Sequence, residues 1–235
     1  MTSARRGFLI GAAVGMAAGG GCRTDPRTTT VTAAWQMLGS TVSVAAWGKD
    51  SAAVRAAIAR MRDSTRAVDS TAAREAVRRA WAVERGDLRL RPEWRDVADG
   101  YVLDRAAPVL AAAVDSALID LGGLFLWVGP ASSRVVGIAN PGNSLDPIAQ
   151  LDLRSGALST VSGRGERRSV TVLAGDAFRA SAWASALFSL GCDRILASAA
   201  RWERQAVSVV CADSSGVRWT TDLQNRVLLP AVRAP

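Results

Sequence analysis

The chain has 235 residues, 49% of them hydrophobic, which is enough for one large domain or two small ones with a sizeable core. It contains no histidine, so a Ser-His-Asp triad, a histidine-ligated zinc and a histidine general base are excluded. The net charge is +8 and Lys49 is the only lysine, but the arginines are spread along the chain without a basic stripe among aromatic residues. We therefore expect no binding to nucleic acid.

Residues 1–22 have the features of an export signal. Arg5 and Arg6 precede a short apolar run that ends in small residues at Cys22. The arginine pair before Gly-Phe-Leu is similar to a twin-arginine signal, which exports folded proteins. Cys22 after two glycines is similar to a lipoprotein cleavage site, so a lipid anchor there is an open alternative. We expect an exported protein in the periplasm or on the outer face of the cytoplasmic membrane, with no other membrane attachment.

Residues 23–30 are predicted to be a polar tether, and residues 31–235 a single α+β domain of antiparallel or mixed sheet with packed helices. A strand pair is predicted within 31–47, where apolar and polar residues alternate. Further strands are predicted at 88–90, 117–121, 124–128, 135–139, 148–153, 157–161, 169–173, 206–211, 217–221 and 226–229. Helices are predicted at 52–68, 72–83, 99–114, 176–190 and 193–201.

The segment 97–123 is the one that the other elements support. It is predicted to run from an Asp99-Gly100-Tyr101 step through a helix and a turn into a strand that ends on Gly122-Gly123. Glycine has no Cβ, so a strand ending on paired glycines can bring backbone close to a ligand. The alternative is an ordinary tight turn.

Two cysteines and four tryptophans are predicted to stabilise the fold rather than to take part in a reaction. Cys192 and Cys211 either pair as a disulfide in an exported protein or remain two buried thiols. The tryptophans on helices and strands are predicted to lie in the core: Trp35, Trp81, Trp183 and Trp202.

Five segments, in their order along residues 33–212, resemble the ApbE family of FAD:protein FMN transferases. They are Leu38-Gly39-Ser40, Asp99-Gly100-Tyr101-Val102-Leu103-Asp104, Ile119-Asp120-Leu121-Gly122-Gly123, Leu158-Ser159-Thr160-Val161-Ser162-Gly163, and Ala180-Ser181-Ala182-Trp183-Ala184-Ser185-Ala186-Leu187-Phe188.

The resemblance implies a reaction with FAD. The family uses Mg²⁺ to neutralise the pyrophosphate and moves FMN onto a Ser or Thr hydroxyl of an acceptor flavoprotein, with release of AMP. Such phosphoryl transfer depends on positioning and charge more than on an imidazole base. The residues implied to bind the cofactor are Leu38, Gly39, Ser40, Asp99, Gly100, Tyr101, Asp104, Gly122, Gly123 and Thr160. Those implied to lie at the metal are Asp96, Asp176, Ser181 and Ser185.

The metal-binding helix departs from the family pattern. The family carries Asp and, four residues later, Thr, where this chain has Ser181 and Ser185. Neutral hydroxyls are poorer ligands for Mg²⁺ than a carboxylate is. Asp176 either caps this helix or supplies a displaced ligand.

The sequence leaves three hypotheses open. The first is an exported FMN transferase. The second is an exported flavin-binding or scaffold protein of the same fold that has lost catalysis. The third is an unrelated envelope lipoprotein.

Overall fold

A computed structural model describes residues 28–37, 39–66, 70–85, 90–129, 134–141, 143–163 and 167–229. Its strands are β1 Thr29–Met37, β2 Ser40–Gly48, β3 Ser116–Leu121, β4 Leu124–Val128, β5 Arg134–Asn140, β6 Asn143–Leu153, β7 Gly156–Ser162, β8 Ser169–Ala174, β9 Ser208–Asp213, β10 Gly216–Trp219 and β11 Val227–Leu228. Its helices are α1 Ser51–Arg66, α2 Ser70–Arg85, α3 Trp94–Ala111, α4 Ala177–Phe188, α5 Cys192–Ala197 and α6 Ala199–Arg204.

The predicted α+β class is confirmed, and the elements form three layers. Eight strands make an antiparallel sheet in the order β1-β2-β3-β4-β7-β8-β9-β10, and a second sheet has the order β11-β6-β5. The helices cover one face of the large sheet and the small sheet covers the other. In β8, for example, Val170 and Val172 join the helix-side core, while Leu173 joins the core under the small sheet. Burial on both faces explains why β8 is apolar almost throughout.

Helix α3 begins earlier than the sequence indicated. The sequence predicts a start at the Asp99-Gly100-Tyr101 step, and glycine is a poor residue for a helix interior. The helix instead starts at Trp94 and carries Gly100 in its second turn. Gly100 lies against α4, where there is no room for a side chain: a Cβ built on it would lie 2.4 Å from the carbonyl oxygen of Ala177. Close packing of two helices therefore overrides the low helix propensity of glycine.

Two predictions near the C-terminus are corrected in detail. The single helix predicted at 193–201 is split into α5 and α6 at Ser198, which has a non-helical φ of −110° and ψ of 17°. The strand predicted at 217–221 ends at Trp219, and the chain then enters a short 3-10 turn, Thr221–Leu223. The export signal, most of the tether, Leu38 and most of the short strand predicted at 88–90 lie outside the described residues.

Four hairpin connections of the large sheet lie at one of its ends, which we call the hairpin end. They join β1 to β2, β3 to β4, β7 to β8, and β9 to β10. The register places them together, because Leu121 pairs with Val42 and Leu124 pairs with Ser159. Helix α4 leaves β8 at the opposite end and runs back toward the hairpin end, whereas α3 begins near the hairpin end and runs away from it. The start of α3 and the end of α4 therefore border the hairpin end.

A disulfide and a tryptophan cluster hold the C-terminal helices against the sheet. Cys192 at the start of α5 is bonded to Cys211 in β9, which decides the alternative that the sequence left open. The ring of Trp183 is fully buried and lies 5.1 Å from that of Trp81 and 5.8 Å from that of Trp202, measured between centroids. The prediction that these side chains are core is confirmed. Among the described residues, no helix is long and apolar enough to cross a membrane.

Candidate functional site at the hairpin end of the sheet

Two of the hairpin turns are built on glycines that no other residue replaces without strain. Gly39 has a φ of +83°, and Gly122 and Gly123 have φ values of +61° and +95°. This left-handed region is open to glycine and costly for residues with a Cβ. The two turns are neighbours, since a Cβ built on Gly122 would lie 3.5 Å from the Oγ of Ser40. The structure thus brings together four of the residues that the resemblance assigned to the cofactor.

A partly buried acid that we did not single out shapes the second turn. Asp120 accepts a hydrogen bond of 3.1 Å from the backbone N–H of Gly123. Burial raises the pKa of Asp120, and the hydrogen bond from Gly123 partly opposes that rise. Because Asp120 is only three residues from the glycine it binds, an Asp before a Gly-Gly pair was the sequence signal for this contact.

Arg95 is a second residue that we had not assigned to the site. It lies in the first turn of α3 with an exposed side chain. Its Nη2 would lie 2.9 Å from a Cβ built on Gly39, so the guanidinium covers the Gly39 turn. Ser40 extends to the same helix-covered face, because its neighbours two and four positions along β2, Val42 and Val44, join the helix-side core. A positive charge therefore lies among the glycine turns.

Ser185 holds the start of α3 in place. Its Oγ accepts a hydrogen bond of 2.7 Å from the backbone N–H of Glu93, the residue before the helix. The side chain of Glu93 makes no capping hydrogen bond, so this contact from α4 takes part of the role of a cap. Ser185 is 8% exposed, and its hydroxyl is used within the protein rather than presented to solvent.

Ser181 lies one turn earlier on α4, at the crossing with α3. It is 1% exposed, and its Oγ donates a hydrogen bond of 3.0 Å to the carbonyl oxygen of Phe178. A Cβ built on Gly100 would lie 2.3 Å from that Oγ, so the backbone of α3 already fills the space beside it. The crossing of the two helices is packed too closely for an ion.

These contacts do not fit Mg²⁺. This cation takes six oxygen ligands in near-octahedral geometry and favours carboxylates, whereas Ser181 and Ser185 are buried neutral hydroxyls with backbone partners. In the part of the chain that the structure describes, no three Asp, Glu or Cys side chains are grouped so that they could hold a metal. The side chain of Asp96 lies outside the described part, so its assignment to the metal stays a prediction.

Asp176 and Asp104, two further acids assigned by resemblance, lie at the start of α4, away from the hairpin end. Asp176 is the N-cap of α4 and accepts a hydrogen bond of 2.7 Å from the backbone N–H of Arg179. Nine residues separate it from Ser185, about 13 Å along a helix, so the two cannot share one ion. Of the two alternatives for Asp176, the structure shows the cap.

Asp104 joins the two helices at that same end. Its two carboxylate oxygens accept hydrogen bonds of 2.9 and 2.8 Å from the backbone N–H groups of Ala177 and Phe178. Burial raises the pKa of Asp104 to about 6. The two hydrogen bonds oppose the rise, and the nearby Asp176 carboxylate adds to it. Asp104 therefore anchors the first turn of α4, nine residues along α3 from Arg95.

Asp99, Tyr101 and Thr160 are the last residues that the resemblance assigned to the cofactor. Asp99 is partly buried on α3. Tyr101 packs against the helix-side core, with the guanidinium carbon of Arg105 4.8 Å from its ring centroid. Thr160 donates its backbone N–H to the carbonyl oxygen of Gly123 at 3.2 Å, but its hydroxyl lies 2.9 Å from that of Thr171. A direct role of these three side chains with a cofactor stays a prediction.

The architecture defines an α+β protein in which glycine turns and one arginine meet at the end of an antiparallel sheet. The model of the ApbE family matches residues 10–168, and this chain belongs to that family. The hypothesis of an unrelated envelope lipoprotein is therefore wrong. No curated protein sequence matches the chain significantly.

Solved structures share the fold at low sequence identity. The ApbE protein of Thermotoga maritima superposes with a TM-score of 0.63 at 15% identity, over 83% of this chain and 98% of that one. A point variant of the flavin transferase ApbE of Vibrio cholerae gives a TM-score of 0.61 at 13% identity, over 83% and 99%. The apo flavinyl transferase ApbE of Pseudomonas stutzeri gives 0.57 at 14%, over 82% and 94%. The predicted single ApbE-like fold is thus confirmed.

Proposed function

We propose that this protein binds FAD at the hairpin end of the sheet and transfers its FMN part to a Ser or Thr hydroxyl of an acceptor flavoprotein. The observation that carries the proposal is the contact between the Gly39-Ser40 turn and the Gly122-Gly123 turn. The glycines of both turns have no side chain of their own, so a dinucleotide backbone could approach them closely, with the Arg95 guanidinium beside the Gly39 turn. Membership of the ApbE family and a fold shared with proteins named flavin transferases support the same site.

The proposed reaction is a phosphoryl transfer. The acceptor hydroxyl oxygen forms a bond to the phosphorus of the FMN part, the bond from that phosphorus to the bridging oxygen breaks, and AMP leaves with that oxygen. The hydroxyl proton passes to water. The chain contributes binding and orientation: the glycine turns allow close approach, and Asp120 holds the Gly123 backbone in place.

The transfer is tested with the mature protein and FAD. We expect release of AMP, measured by chromatography, and retention of yellow flavin on the protein. Gly122→Ala is expected to reduce FAD binding, because it places a methyl group between the two turns at a strained φ. Gly216→Ala is the matched control, since Gly216 is also a hairpin glycine with positive φ but has no atom near its Cβ position. Equal loss in both variants, or no flavin binding by the wild type, would refute the proposal.

A second candidate function is FAD binding without transfer. It is favoured by Ser181 and Ser185, which replace the Asp and Thr of the family motif and are buried with backbone partners. This candidate predicts yellow protein and no AMP in the same experiment, whether or not Mg²⁺ is added. Release of AMP above the rate of free FAD hydrolysis excludes it.

We further propose that residues 1–22 export the protein and that the domain works outside the cytoplasm, lipid-anchored if Cys22 is acylated. The Cys192–Cys211 disulfide supports this, because such bonds persist in oxidising compartments. Cell fractionation of the native chain and of Cys22→Ala is the test. We expect both in the envelope fractions, with only the native chain in the membrane pellet. Recovery of both in the cytoplasm contradicts export, and equal solubility of the two contradicts an anchor.

A further inference from the structure

Binding of FAD requires positive charge at the site. The pyrophosphate of FAD carries two negative charges, and a protein that binds it has to offset them with a cation or with cationic side chains. The positions that the family motif gives to a metal hold Ser181 and Ser185 here, and their contacts do not fit Mg²⁺. The compensating charge must therefore come from elsewhere in the chain.

Arg95 supplies a positive charge at the right place. Its Nη2 lies against the Gly39 turn, on the helix-covered face that Ser40 also borders. A guanidinium offers a planar fork of N–H donors that matches the oxygens of a phosphate group. The side chain is exposed, so a ligand can reach it.

Ser185, which stands at a metal-ligand position of the family motif, is connected to the start of the helix that carries Arg95. Ser185 binds the backbone N–H of Glu93, two residues before Arg95, and thereby fixes where α3 begins. The hydroxyl that stands at a ligand position of the family motif thus positions the helical turn that carries the guanidinium. Ser185 and the arginine together form one arrangement.

We propose that the guanidinium of Arg95 takes the charge-neutralising role of a divalent cation toward the pyrophosphate of FAD, so that this protein binds FAD without Mg²⁺. The inference rests on the proposed binding of FAD and holds for both candidate functions. Ser185 is a positioning residue in this arrangement, because it acts through the start of α3.

Binding measurements on the mature protein test this directly. The dissociation constant of FAD, from quenching of its fluorescence, is expected to be the same in EDTA and in millimolar Mg²⁺. Arg95→Ala is expected to weaken FAD binding roughly 10- to 100-fold, the range for a hydrogen bond to a charged group. The FAD affinity of Arg95→Lys is expected to lie between those of the wild type and Arg95→Ala, since lysine keeps the charge but lacks the planar fork of N–H donors. Arg60→Ala is the control, because Arg60 is an exposed arginine on α1.

Two further ligands separate this inference from the proposed function. Riboflavin has no phosphate, and its affinity is expected to be unchanged in Arg95→Ala. ADP has no flavin, and its competition with FAD is expected to depend on Arg95. Mg²⁺-dependent FAD binding, or wild-type affinity for FAD in Arg95→Ala, overturns the inference while flavin binding stands. Arg95-dependent binding of ADP without binding of either flavin would keep the anion site and remove the proposed function, and binding of none of the three ligands removes both.

Discussion

The Oγ of Ser185 accepts a hydrogen bond of 2.7 Å from the backbone N–H of Glu93, a residue 92 positions earlier in the chain. This contact joins the last third of α4 to the first residue before α3. It satisfies one of the backbone donors that a helix start leaves without an intrahelical partner. A residue that sequence comparison assigns to a metal is here part of the connection between two helices.

Replacing Ser185 by Ala is expected to destabilise the fold. The N–H of Glu93 loses its partner in a partly buried position, and an unsatisfied donor of this kind costs about 1–3 kcal/mol in the free energy of unfolding. Urea unfolding followed by circular dichroism measures it. Ser189→Ala is the control, because the exposed Ser189 binds only the carbonyl oxygen of Ala186 in its own helix. Equal stability of the two variants would contradict the role of Ser185.

Gly100→Ala is expected to be more damaging. The added methyl group would lie 2.3 Å from the Oγ of Ser181 and 2.4 Å from the carbonyl oxygen of Ala177, so α3 and α4 must move apart. Overpacking of this kind costs about 1–3 kcal/mol or more. Gly175→Ala, where no atom lies within 4 Å of the Cβ position, is the control and is expected to keep the thermal midpoint of the wild type. A wild-type midpoint for Gly100→Ala would show that the helix crossing is loose.

Much of the sheet could be predicted from the sequence, because its signals are local. The turn at Gly39 and the Gly122-Gly123 pair mark hairpins directly, and both hairpins are present. Residues alternate between apolar and polar in β2 and are nearly all apolar in β8, because each pattern reflects which faces of the strand are covered. Most predicted strand ends lie within one or two residues of the observed ends.

The helix contacts could not be predicted, because they join residues far apart in sequence. The sequence places Gly100 at the edge of a helix, whereas its close contact with Ala177, which puts it in the helix interior, exists only in the folded protein. Asp104 was assigned to the cofactor from a motif, but its partners are backbone groups 73 and 74 residues later. The position of Arg95 beside the Gly39 turn carried no sequence signal, because the two residues lie far apart along the chain.

Asp104→Ala is expected to loosen the start of α4. It leaves the N–H groups of Ala177 and Phe178 without their acceptor, and each costs about 1–3 kcal/mol when buried. Hydrogen exchange at these two amides is expected to accelerate together with the loss of global stability. Asp63→Ala is the control, because Asp63 makes only an exposed ion pair with Arg62. Unchanged protection of both amides would contradict the anchoring role.

Removal of the disulfide by the double replacement of Cys192 and Cys211 with Ala is expected to lower the free energy of unfolding by about 3 kcal/mol, the chain-entropy value for a loop of this length. The effect acts mainly on the unfolded chain, so the native fold is expected to persist. Thermal unfolding of the wild type with and without a reductant checks the same quantity. Equal midpoints with and without reductant would show that the two sulfurs are not bonded in the protein.

The titration of Asp104 is expected to lower the free energy of unfolding as the pH rises. Burial raises the pKa of Asp104 from its ordinary value of 3.8 to about 6 in the folded state. The folded protein then holds this proton more tightly than the unfolded chain does. Its contribution is therefore fully present below pH 3.8 and is lost as the pH rises through about 6. The loss is on the order of 3 kcal/mol at most, at 1.4 kcal/mol per pKa unit.

Urea unfolding between about pH 4 and pH 7 measures this loss, since that window spans both pKa values. The raised pKa of the partly buried Asp120 contributes a change of the same sign, so the wild type has to be compared with Asp104→Asn. This variant removes the Asp104 titration and one of the two acceptor oxygens, and the lost acceptor lowers the stability by the same amount at every pH. The wild type is expected to lose more stability than Asp104→Asn as the pH rises. Parallel curves for the two proteins would mean that Asp104 titrates at its ordinary value, because its two backbone hydrogen bonds offset its burial.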